Sequence, residues 1–188
     1  MLHRNFSSAM SARPLFSVPP LLRTSVLLLV TLLGLAACRD EPASAALARP
    51  STDYFPLGVG ARTVRMQLAV LEPEMAVGLM YRTTLGTDDG MLFAYTSPRQ
   101  MQFWMRNTLI PLDIGFFDAQ GVLLEKHPMQ PHDERGVISR HQELQYALEM
   151  NQGWFDRNGV KPGDKLDLRK LKVALGARGF EARRFGLE

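Results

Sequence analysis

The sequence predicts an α+β domain, mostly β: a small half-closed, barrel-like sheet carrying two short helices. Three observations lead there. Apolar residues alternate at strand period at Val64, Met66, Leu68 and Val70, and again at Tyr146, Leu148 and Met150. Asp118-Ala119-Gln120-Gly121 has the chemistry of a hairpin turn. Helical signals are confined to two short windows, so strands outnumber helices and most links read as hairpins.

Taken in order, the globular part begins near residue 61 with the Val64 strand. Glu72-Pro73-Glu74 starts the first helix, because proline is tolerated in a first turn and acids there suit the helix dipole. Met75, Leu79 and Met80 supply its apolar face to about Arg82. Asp88-Asp89-Gly90 is a turn, and Met91 to Tyr95 reads as a short buried strand. Met101, Phe103 and Met105 share one face of the next segment, with Gln102, Trp104 and Arg106 on the other. After Asn107-Thr108, a strand places Ile110, Leu112, Ile114 and Phe116 together and Pro111 and Asp113 opposite; Val122 to Lys126 returns from the hairpin. Residues 127–143 are polar and irregular. Residues 152–158 suit a short helix stopped by Gly159, and a turn at Val160 to Asp164 leads into a last strand at 165–168.

The ends read differently. Residues 1–37 are expected to be a lipoprotein signal peptide: Arg4, Arg13 and Arg23 with no acid, then an apolar run from Val26 too short to span a bilayer. The run closes on Leu35-Ala36-Ala37-Cys38, a bacterial lipobox in form, which makes Cys38 the expected site of lipidation. Cys38 is the only cysteine, so no internal disulfide can form. The resulting expectation is a cell-envelope protein held to the membrane through lipid on Cys38. Arg39, in place of an aspartate, points to the periplasmic face of the outer membrane. Residues 38–60, rich in alanine and proline, are expected to be a flexible tether. Residues 169–188 are expected to be a basic, partly helical tail, either simply solvated or drawn to anionic headgroups.

The full chain of 188 residues has 22 basic and 19 acidic residues. The three arginines of the leader account for the whole excess, leaving 19 against 19 in the mature chain. Net charge therefore gives no support to nucleic-acid binding.

Five stretches resemble one family, the domain of unknown function number 192. They are Gly78-Leu79-Met80-Tyr81-Arg82, Gly90-Met91-Leu92-Phe93, Phe103-Trp104-Met105-Arg106-Asn107-Thr108, Pro111-Leu112-Asp113-Ile114 through Phe116, and Gly159 to Asp164. The resemblance runs over about residues 62 to 168. It implies a small exported or membrane-tethered domain of mostly β fold, and it implies no reaction. The stretch from His127 to Gln142 is the least family-like part.

Within those motifs, Arg82, Trp104, Asn107 and Asp113 are the candidate ligand-binding residues. Arg82 would clamp an anion, Trp104 would stack on a ring, and Asn107 and Asp113 would orient hydroxyls. The competing reading is structural: Asn107-Thr108 as turn residues, and Asp113 accepting from backbone or from Arg82. Such a domain would bind a small polar ligand or an envelope protein and would need no cofactor. The alternative is a periplasmic copper or zinc binder using His127, His132 and His141, although their spacing matches no established ligand pattern. The mature chain also has eight methionines, which more often fill cores than bind copper. A hydrolase comes third. The chain has no nucleophile-elbow serine, no cysteine nucleophile in the domain and no two-histidine metalloprotease helix, so the reading leans away from an enzyme.

Overall fold

The computed structural model describes residues 51–188; the expected leader, Cys38 and the first part of the expected tether lie outside them. Described here are strands β1 (Phe55–Val59), β2 (Arg62–Ala69), β3 (Asp89–Arg99), β4 (Gln102–Phe103), β5 (Leu112–Asp118), β6 (Leu123–Met129), β7 (Val137–Ile138) and β8 (Leu144–Asn151). Helices α1 (Glu72–Val77), α2 (Trp154–Arg157) and α3 (Leu168–Ala177) accompany them, with a 3-10 turn at Ala182–Phe185. No described helix is long and apolar enough to cross a membrane.

Six strands form one mixed sheet in the order β1-β2-β3-β8-β5-β6, and β4 pairs with β7 apart from it. Neighbours are antiparallel except β2 and β3, which run parallel. A parallel pair cannot be joined by a hairpin, so α1 lies in the crossover between those strands. β8 is the last strand in sequence, yet it sits between β3 and β5, and seven of its eight residues are buried.

The sheet does not close strand to strand. Instead, residues 163–167 join its two edges. On the β6 side the Gly163 N–H donates to Leu123 O (2.9 Å), the Leu123 N–H to Asp164 O (2.8 Å) and the Leu166 N–H to Gly121 O (2.8 Å). On the β1 side the Gly60 N–H donates to Lys165 O (2.9 Å) and the Asp167 N–H to Gly58 O (2.8 Å). This is the half-closed barrel. Where a strand was expected at 165–168, two isolated bridges, Val59 with Leu166 and Val122 with Lys165, take its place. Asp167 then ends the extended run, because its carboxylate accepts from the Arg169 and Lys170 N–H groups and caps α3.

Apolar residues pack on both faces of the sheet. On one, Leu57, Met66, Leu92, Phe117 and Leu148 meet Trp154 and Phe155 of α2, Leu171 and Leu175 of α3, and Phe185. On the other, Phe93, Ile114 and Phe116 are covered by Leu79, Met101, Phe103 and Met105. Burying each such side chain contributes about 1.5–3 kcal/mol. Among the described residues, both clusters and the edge-joining bonds lie between Phe55 and Leu187.

Several boundaries differ from the sequence expectation. β1 falls within the stretch expected as tether, because Phe55, Leu57 and Val59 point into the core. The C-terminal segment is packed through α3 and Phe185, with only part of it solvated. Within it, Arg178 is buried and donates to Leu68 O and to Glu74 Oε1, while Glu74 Oε2 accepts from the Val70 and Leu71 N–H groups at the start of α1. Three helices form among the described residues, the third in the segment expected as a partly helical tail, and α1 ends at Val77, since Gly78 leaves helical geometry with φ 48°. Removing one partner of a buried ion pair typically costs about 3–5 kcal/mol. Arg178→Ala is therefore expected to lose about that much stability, read as a lowered urea midpoint; an unchanged midpoint would show that α3 is not tied to α1 in this way.

Candidate functional site

Strand register decides which side chains can meet. In the row Gln67–Met91–Glu149–Ile114–His127, Cα partners follow one another across β2, β3, β8, β5 and β6, so these side chains share the face covered by Leu79 and Phe103. The adjacent row, Met66–Gly90–Met150–Asp113, points to the other face. Side-chain alternation thus separates Asp113 from Gln67 and Glu149.

Arg82 lies on the first face, beyond the turn that ends α1. Its guanidinium donates to Tyr54 Oη at 3.2 Å and, through Nη2, to Gln67 Oε1; Gln67 in turn donates to Thr52 O at 2.6 Å. Both acceptors are neutral, and no described carboxylate lies within ion-pair distance of Arg82. Arg82, Gln67, Glu74, Gly78 and Met91 line a cleft of about 330 Å³, with Ser51 and Thr52 at its rim. Glu149 lies behind this wall. It is 5% exposed, its Oε2 has no hydrogen-bond partner, and a Cβ placed on Gly78 would stand 3.7 Å from that oxygen. Burial pushes the Glu149 carboxyl up to about 8, against the opposing pull of Arg82.

Asn107 stands next to this site through Tyr81. The Tyr81 N–H donates to Asn107 O (2.8 Å) and Asn107 Nδ2 to Tyr81 Oη (2.9 Å). Both residues have positive φ, 62° and 54°, a conformation that is costly for a tyrosine. The two reciprocal bonds hold it in place and leave the Tyr81 ring 67% exposed. Trp104 is 47% exposed and faces the Arg106 guanidinium, 5.7 Å from its ring centroid; it does not line the cleft. Asp113 accepts from the Gly153 N–H at 2.7 Å, at the start of α2, so backbone is its partner rather than Arg82. Burial raises its carboxyl above the ordinary range. Of the four predicted ligand-binding residues, the structure brings Arg82 and Asn107 into one neighbourhood and sets Trp104 and Asp113 apart.

The histidines divide two and one. Glu125 is buried on β6, and its carboxylate meets His127 Nε2 at 2.8 Å and His141 Nδ1 at 3.1 Å. It also accepts from the Arg140 and His141 N–H groups at 2.9 and 3.0 Å. Burial alone would raise this carboxyl; the hydrogen bonds from His141 and His127 outweigh it and hold the group at about 2. His132 is not among the partners of Glu125; its N–H donates to Thr108 O at 3.3 Å. Among the described residues no group of three or more ligating side chains has the geometry to hold a metal ion.

Sequence reasoning did not single out Gln67, Tyr54 or Glu149. Tyr54 lay in the stretch expected as tether. Gln67 and Glu149 stand in the polar phase of alternating strands and so read as solvent-facing. The available signal was their position in strands packed on both faces, where a polar residue needs a reason.

The fold and this cleft define a small, β-dominated α+β domain with Arg82 and Glu74 lining a cleft beside a buried acid. Residues 57–168 match the DUF192 family, described as "Uncharacterized ACR", and the chain belongs to it. Several solved structures are similar, among them the following two. A protein of unknown function from Novosphingobium aromaticivorans is 36% identical, with a TM-score of 0.59 over 66% of this chain and 96% of that one. A protein of Sinorhizobium meliloti described as a candidate transcription regulator is 35% identical, with a TM-score of 0.59 over 64% of this chain and 97% of that one. No curated protein matches the chain.

The two buried glutamates give opposite pH signatures. Glu149 binds its proton more tightly folded than unfolded, so its contribution is fully present below about 4.5 and is lost as pH rises toward about 8. Glu125 is depressed, so its contribution is present above about 4.5 and is lost as pH falls toward about 2. Glu149→Gln is expected to abolish the decline between those upper limits and to exceed the parent's stability at pH 8 by the order of a few kcal/mol. Chemical denaturation across the pH range reads this, and a variant that keeps the parent's slope would show that Glu149 is not the titrating group.

Proposed function

We propose that this chain is a lipid-anchored domain of the bacterial cell envelope that binds a small polar, anionic ligand at the Arg82 cleft. The observation that carries the binding reading is the Arg82 guanidinium, held in place by two neutral acceptors, Tyr54 Oη and Gln67 Oε1, with no ion pair to a carboxylate among the described residues. Described residues engage two of its five N–H donors, and a guanidinium offers a planar fork of the kind that receives carboxylate or phosphate in bidentate fashion. The anchoring half rests on the lipobox form of Leu35-Ala36-Ala37-Cys38 and on Cys38 being the only cysteine.

Native mass spectrometry of residues 39–188, exported to a periplasm and purified without chelator, tests the binding half. A retained organic anion is expected, absent from Arg82→Ala and kept by Trp104→Ala, because the Trp104 ring stands outside the cleft. A bare mass with no anion response would count against the site, and a copper or zinc increment would favour metal binding in its place. For the anchor, radiolabelled palmitate is expected to label the full chain and not Cys38→Ala; equal labelling of both would overturn it.

A further inference from the structure

Among the described residues two buried side-chain polar atoms have no hydrogen-bond partner, Arg178 Nε and Glu149 Oε2. Of the two side chains, Glu149 alone has no hydrogen bond or ion pair at its other atoms. Its carboxyl is buried, one oxygen has no partner, and it sits against Gly78 at the back of the Arg82 cleft. A buried carboxyl without a partner is costly and is rarely kept for stability alone.

Among the described residues, charged and titratable groups surround it, with Tyr54 standing behind Arg82 as the acceptor of its Nη1. On its own face of the sheet stand Asp89 and Tyr95 of β3, Arg65 of β2, and Glu125 and His127 of β6; Glu74 and Arg82 come from the covering segment. Most are already satisfied by one another. Asp89 pairs with Arg65 at 3.4 Å, Glu125 with His127, and Glu74 with Arg178. Tyr95 is itself pushed up by burial, so it stays neutral where Glu149 titrates. That leaves Arg82 as the cation whose field favours the Glu149 carboxylate.

We propose that the Arg82 cleft is a proton-coupled carboxylate site, in which a small carboxylate seated on Arg82 makes the buried Glu149 take up a proton. The inference rests on the anion-binding reading above and adds its regulation. Its physics is direct: an anion on the guanidinium cancels the field that Arg82 exerts on Glu149, and burial then acts unopposed. By linkage, whatever raises the proton affinity of Glu149 when the ligand binds must weaken the ligand when the proton leaves. Glu149 ionises at about 8 in the ligand-free protein. Affinity is therefore full below that value, falls as pH rises from it toward the higher value of the bound state, and levels off above that. The cleft takes its ligand in neutral or acidic surroundings and releases it in alkaline ones.

Acetate is the probe, titrated in place of chloride at constant ionic strength into isotopically labelled residues 39–188, following the Glu149 side-chain carboxyl carbon and the Arg82 Nε–H signal by NMR. Acetate is expected to shift the Arg82 signal and to move the Glu149 titration upward. Its dissociation constant is expected to rise roughly fivefold or more between about pH 7 and about pH 9.5. Glu149→Gln should bind acetate with no such pH dependence, and in Arg82→Ala acetate should leave Glu149 unmoved. A shift at Arg82 with an unmoved Glu149 titration overturns the coupling and leaves the anion site standing. Silence at both positions overturns both. The parent protein alone decides between these outcomes, so the test survives a variant that does not fold.

Discussion

Everything in this domain hangs from the five residues 163–167. A six-stranded mixed sheet has two edges, and open edges leave backbone groups unpaired and invite pairing with other chains. Here one short segment supplies donors and acceptors to both: Leu123 and Gly121 on the β6 side, Gly58 and Gly60 on the β1 side. Because it reaches across, the sheet must curve, and its inner face becomes a cavity that Trp154, Phe155 and Leu171 fill. The same segment ends in Asp167, which caps α3 and so directs that helix back over β1. Arg178, at the far end of α3, then meets Glu74, which fixes the start of α1. Closure of the sheet and placement of the Arg82 turn are thus linked through one chain of contacts.

Much of this was legible in the sequence, and the failures have physical causes. Alternation located β2, β5 and β8 and predicted the burial of Met101, Phe103 and Met105 against the exposure of Gln102, Trp104 and Arg106. The lengths of the elements were less legible. β1 hid in a stretch with proline and two glycines, and what identifies it is the pairing of Phe55 to Val59 with β2, a tertiary fact. The parallel pairing of β2 and β3 was equally invisible, since local periodicity does not encode direction.

The candidate site shows the same division. Arg82 and Asn107 stood out as polar residues inside distinctive motifs. Asp113 stood out for the same reason, yet its strand phase turns it to the other face, where the Gly153 N–H receives it. Phase along a strand is readable, but the strand's neighbours are not, and it was the neighbours that put Gln67 and Glu149 beside Arg82. Glu149 lies on a strand with partners on both sides, so its polar phase faces a second core where solvent was the natural reading.

The place of β8 has a consequence for how the chain comes into being. β3 and β5 cannot complete their pairing until β8 has entered between them, and β8 follows β5 by some 25 residues. The ladders that dominate the sheet join partners far apart in sequence, as with Gly90 and Met150, and such long-range pairing is intrinsically slow. During synthesis the emerging N-terminal part therefore has two strands with bare flanks and no stable native state of its own. A chain built this way completes its sheet only when nearly all of it is available. It also makes any truncation before Asn151 a source of sticky, unpaired strands rather than of a smaller domain.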